Sequence, residues 1–106
     1  MSTDETIREK IARFLEEAES PVSVRDIILS LGIEPSREKE IYEHLSHIAK
    51  TIRRRSSGRK VLYMVPPRCS SCGYVFTKLE KPHKPSRCPR CKSYRIEPPL
   101  FYISVE

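Results

Sequence analysis

Four cysteines in two pairs constrain this chain more than any other feature of its sequence. Cys69 and Cys72 form one Cys-x-x-Cys pair, Cys88 and Cys91 form a second, and fifteen residues separate the two pairs. Two thiolates three positions apart on a tight turn can bind one ion together, and a second such pair completes a tetrahedral site. Because the protein supplies all four ligands, the pattern predicts one structural zinc ion and not a catalytic one.

Three other chemistries compete with zinc at these cysteines. Iron is the competing metal, since Cys-Ser-Ser-Cys-Gly-Tyr and Cys-Pro-Arg-Cys are similar to the metal-binding turns of rubredoxin. Disulfides are disfavoured because residues 1–9 are polar and acidic and lack the apolar stretch of a secretory signal. A thioredoxin-type redox site would need one pair at the start of a helix. We therefore expect reduced, metal-bound thiols and a cytoplasmic protein.

Charge divides the 106 residues into two halves of opposite sign. Residues 1–50 contain seven basic and eleven acidic side chains, whereas residues 51–106 contain thirteen basic and three acidic ones. This asymmetry favours a polyanionic partner that meets one side of the molecule. No apolar run approaches the ~20 residues that a membrane helix needs, so we expect no membrane partner.

Apolar residues at helical spacing predict three helices in the first half. The first helix covers residues 3–18, and its buried stripe comprises Ile7, Ile11, Phe14, Leu15 and Ala18. Ser23 and Asp26 form a capping-box pattern that begins a second helix over residues 24–31, which Gly32 ends. Residues 21–23 are predicted to be an extended connector.

The third helix is predicted over residues 37–53, with Ser36 as its N-cap and a polar side that faces away from the core. That side carries Lys39, Glu43, His47, Lys50 and Arg54. A short helix, a tight turn and a longer helix are typical of a helix-turn-helix, whose longer helix enters a major groove. An ordinary three-helix packing with a solvated outer face is the alternative, and His44 and His47 are interpreted as surface histidines.

A basic segment follows the third helix, and six of the residues 50–60 are Lys or Arg. Guanidinium groups match phosphate oxygens well, so clustered arginines here indicate contact with a nucleic-acid backbone. The alternative is a turn that only increases solubility. The candidate phosphate ligands of this segment are Arg53, Arg54, Arg55, Arg59 and Lys60.

Two apolar, β-rich runs, 61–65 and 100–105, predict an antiparallel hairpin. The 34 residues between them are too many for a plain hairpin loop, but they contain the cysteine pairs between Pro66-Pro67 and Pro98-Pro99. We therefore predict a hairpin whose loop is a zinc ribbon, with short strands at 74–76 and 94–96. The fold class is α+β, with one domain over 1–65 plus 98–106 and a ribbon inserted at 66–97.

The chain resembles the small archaeal winged helix-turn-helix proteins that carry a rubredoxin-like zinc ribbon in the wing, which are described as predicted transcriptional regulators. The segments that carry the resemblance are Val61-Leu-Tyr-Met-Val-Pro-Pro-Arg-Cys69, Cys-Gly-Tyr74, Pro-Ser-Arg-Cys-Pro-Arg-Cys91 and Ile96-Glu-Pro-Pro99. The resemblance implies a winged helix, DNA binding and a role in transcription.

These observations predict a DNA-binding regulator of transcription whose partner is double-stranded DNA. Base-edge contacts are expected from Lys39, Glu43, His47 and Lys50, and flanking phosphate contacts from the basic segment and from Lys84, Arg87 and Arg90 of the ribbon. RNA and a protein of the transcription or translation machinery are the alternative partners. The sequence has no phosphate loop, no free catalytic thiol and no open metal position, so we expect no enzyme.

Overall fold

Three helices and a three-stranded sheet form the larger part of the molecule, and the segment with the four cysteines forms the remainder. The computed structural model describes residues 3–79 and 81–106, and side chains from Ile7 onward. The elements are α1 (Thr3–Glu17), β1 (Val22–Ser23), α2 (Val24–Leu31), a 3₁₀ turn (Pro35–Arg37), α3 (Glu38–Arg55), β2 (Lys60–Val65), β3 (Arg68–Cys69), β4 (Ile96–Glu97) and β5 (Leu100–Val105). None of the helices so described is long and apolar enough to cross a membrane.

The first two helices form where the sequence predicts them. Ile11 and Leu15 of α1 are buried in the core, as the apolar stripe requires. At the start of α2, the Asp26 backbone N–H donates to Ser23 Oγ at 3.1 Å, and the Ser23 N–H donates to Asp26 Oδ2 at 2.9 Å. Gly32 ends α2 in the left-handed region, with a φ of 64°. The predicted capping box is therefore confirmed.

The beginning of α3 differs from the prediction. Pro35 starts a 3₁₀ turn in which the Arg37 N–H donates to the Glu34 carbonyl at 2.9 Å, so Ser36 lies inside this turn and does not cap the helix. Arg37 precedes α3 without a side-chain cap. The prediction of Ser36 as N-cap was wrong because it overlooked that proline favours the first position of a helical turn.

The end of α3 is fixed by a serine that joins the helix to the following strand. Ser56 Oγ donates to the Ile52 carbonyl at 2.7 Å and accepts the Lys60 N–H at 2.8 Å. Ser57 and Gly58 then turn the chain with φ values of 55° and 83°. The predicted break at residues 56–58 is therefore confirmed, although α3 continues two residues beyond the predicted end at Arg53.

The sheet has β5 at its centre. β2 pairs with β5 in antiparallel register from Lys60 opposite Val105 to Val65 opposite Leu100, as the hairpin prediction required. The other edge of β5 pairs with β1, where Val22 lies opposite Phe101. The sequence predicts residues 22–23 as part of a connector, whereas they form a strand. This strand could not be predicted, because two residues form a strand only where a distant strand lies beside them.

One hydrophobic core joins the helices to the sheet. Phe101 of β5 is 1% exposed, and its ring meets that of Tyr42 edge-on with 6.3 Å between centroids. The buried members of the core are Ile11, Leu15, Val22, Val24, Ile27, Ile28, Ile41, Tyr42, Leu45, Ile48, Ile52 and Phe101. The apolar faces of the three helices thus meet on one side of β5.

His44 is buried between α1 and α3, which corrects its interpretation as a surface histidine. It is 4% exposed, Arg8 Nε donates to its Nδ1 at 3.2 Å, and its Nε2 lies 3.7 Å from Glu40 Oε1. Arg37 holds Glu40 through two hydrogen bonds of 2.8 Å, and this contact lowers the pKa of the Glu40 carboxyl. His44 neighbours the apolar stripe of α3, so the packing of α1 decides its burial.

Candidate metal centre and nucleic-acid interface

The first cysteine pair lies in a tight turn that begins at the end of β3. The Gly73 N–H donates to the Cys69 carbonyl at 2.9 Å, and the Cys69 N–H donates to the Tyr74 carbonyl at 2.8 Å. Gly73 has a φ of 81°, which residues other than glycine adopt only with strain. The turn brings the Cys72 sulfur back toward Cys69.

The second pair repeats the geometry of the first with a lysine in the glycine position. The Lys92 N–H donates to the Cys88 carbonyl at 2.9 Å, and the Cys88 N–H donates to the Ser93 carbonyl at 2.9 Å. Lys92 has a φ of 67°, although it has a Cβ that makes this conformation costly. No signal in the sequence indicated this strain, because lysine is uncommon at such a position.

The four sulfur atoms form a compact cluster. They all lie within 4.8 Å of one another, with 3.5 Å between the Cys69 and Cys91 sulfurs and 3.6 Å between those of Cys72 and Cys88. Zinc binds thiolates at about 2.3 Å, which places the sulfurs of a tetrahedral site about 3.8 Å apart. The cysteines are free thiols, and their spacing fits one tetrahedral ion.

Hydrogen bonds and neighbouring sulfur atoms give the thiols of Cys69 and Cys91 different pKa values. Burial opposes ionisation of Cys69, but the N–H groups of Cys72 and Ser71 and the adjacent sulfurs lower its pKa to about 6. The Ser93 N–H favours ionisation of Cys91, but burial and the other three sulfurs outweigh it and raise its pKa to about 12. Four thiolates therefore need a cation beside them, and a coordinating zinc ion deprotonates such thiols.

The protein core of the ribbon is small. Cys69, Cys88 and Ile96 form a buried cluster, and the rings of Tyr74 and Phe76, 5.0 Å apart between centroids, pack against it. Pro67 and Pro85 are also buried. Two of these five buried residues are thus candidate zinc ligands.

The strands of the ribbon differ from those predicted. β3 pairs with β4, and Arg68 Nε lies 3.1 Å from Glu97 Oε2 across that pair. Residues 74–76 contribute only a single bridge, between Val75 and Arg68. The second strand begins at Ile96 because the turn after Cys91 continues through Tyr94, whose carbonyl accepts the Ile96 N–H at 3.0 Å.

The outer face of α3 carries the four side chains that were predicted to read bases and, near its end, Arg54, a predicted phosphate ligand. Lys39, Glu43, His47, Lys50 and Arg54 are all exposed and lie on one side of the helix. Their row extends over about 22 Å at 1.5 Å per residue. Lys39 and Glu43 line a cleft that they share with the ribbon, whereas His47, Lys50 and Arg54 lie farther along α3.

The predicted phosphate ligands after α3 do not all lie on the same side. Arg53, Arg54 and Arg59 are exposed, but Arg55 and Lys60 line a groove between α1 and α3. Lys60 Nζ lies 3.2 Å from Glu16 Oε1 of α1. Arg53–Arg55 also complete the last turn of α3, where cations stabilise the helix dipole, so they have a structural role as well.

The ribbon presents its own basic side chains around an exposed aromatic ring. The Arg87 guanidinium lies 5.7 Å from the centre of the Tyr94 ring, and Tyr94 is 74% exposed. Arg90 is exposed beside the second metal-binding turn, and Lys84 lines the cleft with α3. The sequence did not predict this cleft, because the position of the ribbon against α3 depends on contacts between distant residues.

Comparison with known proteins identifies both parts of the chain. Residues 6–62 match the family model "PF0610-like, N-terminal", and residues 66–105 match the "PF0610 rubredoxin-like zinc beta-ribbon domain". The solution NMR structure of protein PF0610 from Pyrococcus furiosus is 34% identical, with 100% of this chain and 95% of that chain covered and a TM-score of 0.72. No curated protein matches significantly. The chain therefore belongs to the PF0610-like family, and its rubredoxin-like zinc ribbon has the four cysteines of one structural zinc site.

Proposed function

We propose that this protein is a sequence-specific DNA-binding regulator of transcription, built as a winged helix with the zinc ribbon in its wing. The order helix, strand, helix, helix, strand, strand, with β5 between β1 and β2, supports this reading. α2 and α3 supply the helix-turn-helix, and the hairpin of β2 and β5 supplies the wing. The domain limits, 1–65 plus 98–106 and 66–97, remain our prediction.

The exposed polar row on α3 is the observation that carries the proposal. These side chains make no contribution to the core, and they project from the helix that a winged helix places in the major groove. His47 and Lys50 lie at the middle of the row and are the candidate base contacts. Glu43 can accept a hydrogen bond from cytosine N4, so its charge does not exclude a groove position.

Two basic regions flank this row and would bind the backbone. The basic turn with Arg53, Arg54 and Arg59 lies at one end of β2, and the ribbon lies at the other end. Six residues of strand separate them by about 17 Å. A duplex that contacts both regions would lie along β2, against which α3 packs.

Selection of bound duplexes from a random pool, at two salt concentrations, tests this proposal. We expect an enriched sequence motif, and for roughly six neutralised phosphates the slope of log K against log salt should be near −5. Lys50→Ala should change the enriched motif, whereas Arg54→Ala and Arg87→Ala should each reduce the slope by about one and leave the motif unchanged. Lys10→Ala, on the exposed side of α1, is the matched control. A flat salt dependence, or no enrichment, would overturn the proposal.

Single-stranded RNA is the second candidate, and Tyr94 favours it. An aromatic side chain that is 74% exposed beside an arginine can stack on an unpaired base. If RNA is the partner, an unlabelled RNA single strand should displace the protein from duplex DNA. Tyr94→Ala should weaken binding of the single strand more than binding of the duplex. A protein partner captured equally well after nuclease treatment would favour an adaptor role instead.

A further inference from the structure

β2 forms one edge of the three-stranded sheet. The Glu106 N–H donates to the Arg59 carbonyl, which sets the alternation of the hydrogen bonds between β5 and β2. Antiparallel strands bond through alternate residues, so the N–H and C=O groups of Leu62 and Met64 point away from β5. These four backbone groups have no protein partner within residues 3–79 and 81–106. An unpaired edge of this kind is a template for a further strand.

The unpaired edge has a defined length. Before it, the Lys60 N–H already donates to Ser56 Oγ at 2.8 Å, so it is not available to another chain. After it, Pro66 has no N–H to donate. A strand that adds to β2 can therefore pair only with the five residues between these two positions.

The five-residue segment is symmetric about its middle residue. It reads Val-Leu-Tyr-Met-Val, with Tyr63 at the centre. An antiparallel copy that is centred on Tyr63 places Val61 opposite Val65 and Leu62 opposite Met64. Leu62 of one copy and Met64 of the other then exchange two hydrogen bonds, and the symmetric pair exchanges two more. The edge of β2 is therefore complementary to itself.

The outer face of the same hairpin exposes aromatic and apolar side chains. Tyr63 is 39% exposed, Val65 38% and Tyr102 37%. The rings of Tyr63 and Tyr102 stack with 5.4 Å between centroids. In the paired arrangement Tyr63 would meet its own counterpart, so four tyrosines would form one row across a continuous sheet of six strands. Aromatic and β-branched pairs across neighbouring strands stabilise a sheet.

We propose that two copies of this chain associate through the free edge of β2, with a two-fold axis that passes through the sheet beside Tyr63. A strand of another protein could pair with the same edge, but only a second copy accounts for the match of like with like at all five positions. The paired segment is only about 17 Å long. The buried area therefore falls below the ~1,200 Å² of stable complexes, and the dissociation constant should be on the order of 0.1 mM.

Sedimentation equilibrium of the zinc-loaded, full-length protein tests the proposal. Over about 20 μM to 1 mM protein, the average mass should rise from that of one chain toward that of two. In ¹⁵N spectra of the same samples, the amide signals of Leu62 and Met64 should move with concentration, because these groups gain acceptors. A duplex along β2 would compete for this edge, so no DNA is present, and the inference does not rest on the proposed function.

Charge substitutions at Tyr63 locate the two-fold axis. Tyr63→Lys and Tyr63→Glu each place two like charges opposite each other, so each should weaken association roughly tenfold. An equimolar mixture of the two variants should associate more strongly than either variant alone, because lysine then faces glutamate. Tyr102→Lys lies on the same face but one strand away from the axis. It is the matched control and should change the dissociation constant less than roughly threefold.

Three results would overturn the inference. The first is a mass of one chain at every concentration of the unsubstituted protein, and the second is a mixture of the charged variants that associates no more strongly than each alone. The third concerns a peptide that copies residues 60–65, which should reduce the average mass by occupying the edge. If the protein stays monomeric and still binds this peptide, the edge belongs to a strand of another protein.

Discussion

The helical half (α1–α3 with β1, β2 and β5) and the ribbon (residues 66–97) achieve a fixed structure by different means. Twelve buried residues from three helices and the sheet hold the helical half together. Five of the ribbon residues that the structure describes are buried, and two of them are zinc ligands. The apolar surface that so few residues bury cannot offset the conformational entropy lost when more than thirty residues become ordered. The helical half thus depends on apolar burial, and the ribbon depends on its ion.

Removal of zinc tests this difference most strongly. Structural zinc contributes about 10–16 kcal/mol in small zinc domains, so a chelator should unfold the ribbon. We expect the ¹⁵N NMR signals of residues 66–97 to collapse toward unfolded positions, while the far-UV circular dichroism of the helices persists. Added zinc should restore the spectrum. Loss of helical signal in step with the metal would contradict the separation of the two regions.

A cavity in the apolar core should have the opposite effect. Leu45 of α3 is 0% exposed, and Leu45→Ala should lower the unfolding free energy of the helical half by about 2–5 kcal/mol. Urea denaturation followed by circular dichroism measures this change, and the zinc content of the folded protein should stay at one ion per chain. Leu29→Ala is the matched control, because Leu29 is 71% exposed and its truncation should cost less than about 0.5 kcal/mol. Weakened zinc binding in Leu45→Ala would show that the regions are coupled.

Acidification should act on the ribbon first. The pKa of Cys69 is lowered to about 6, so its thiolate is present above that pH and is lost as the pH falls through it. We therefore expect log K for zinc to depend on pH with a slope well below four protons per ion at neutral pH, and to become steeper below about pH 6. Competition with a chromogenic chelator across this range measures the slope. A constant slope of four would contradict the assigned acidity of Cys69.

The smallest expected effect concerns the backbone of the two metal-binding turns. Lys92 adopts the left-handed conformation that Gly73 adopts in the equivalent position of the first turn. Lys92→Gly should relieve about 1 kcal/mol of strain and increase zinc affinity roughly fivefold.

Two further variants serve as controls. One separates the effect of backbone strain from that of the lysine charge, and the other tests whether relief of strain in the helical half affects zinc binding. Lys92→Ala removes the charge but retains the strain, so it should give no gain. Ser57→Gly, at a φ of 55° in the helical half, should raise the unfolding free energy of that half and leave zinc affinity unchanged. An equal gain from the alanine variant would show that the charge of Lys92 was responsible.

Features set by neighbours in sequence could be predicted. The capping box of Ser23 and Asp26 depends on two residues three positions apart, and the turn at Gly73 depends on its neighbouring cysteine. The spacing of the four cysteines was likewise sufficient to predict the zinc site. In the first two cases one short segment contains all the partners, and in the third each pair lies in a segment of its own.

Features set by distant residues could not be predicted. Ser23 lies in a strand only because β5 lies beside it, and His44 is buried only because Arg8 and the rest of α1 cover it. The cleft between α3 and the ribbon depends on where the ribbon lies against α3.

The central position of β5 has a consequence for how the molecule assembles during synthesis. A ribosome releases β5 only after all four cysteines, so Phe101 reaches its place in the sheet last. Until then β2 lacks its partner strand, and Leu62 and Met64 on the core-facing side of β2 lack their contact with Phe101 and the rest of β5. If the ribbon binds zinc before β5 pairs with β2, it would hold together the two ends of the 34-residue segment between these strands. The entropic cost of bringing β5 to β2 would then be lower. The supply of zinc in the cell would then limit the rate at which the nascent chain folds.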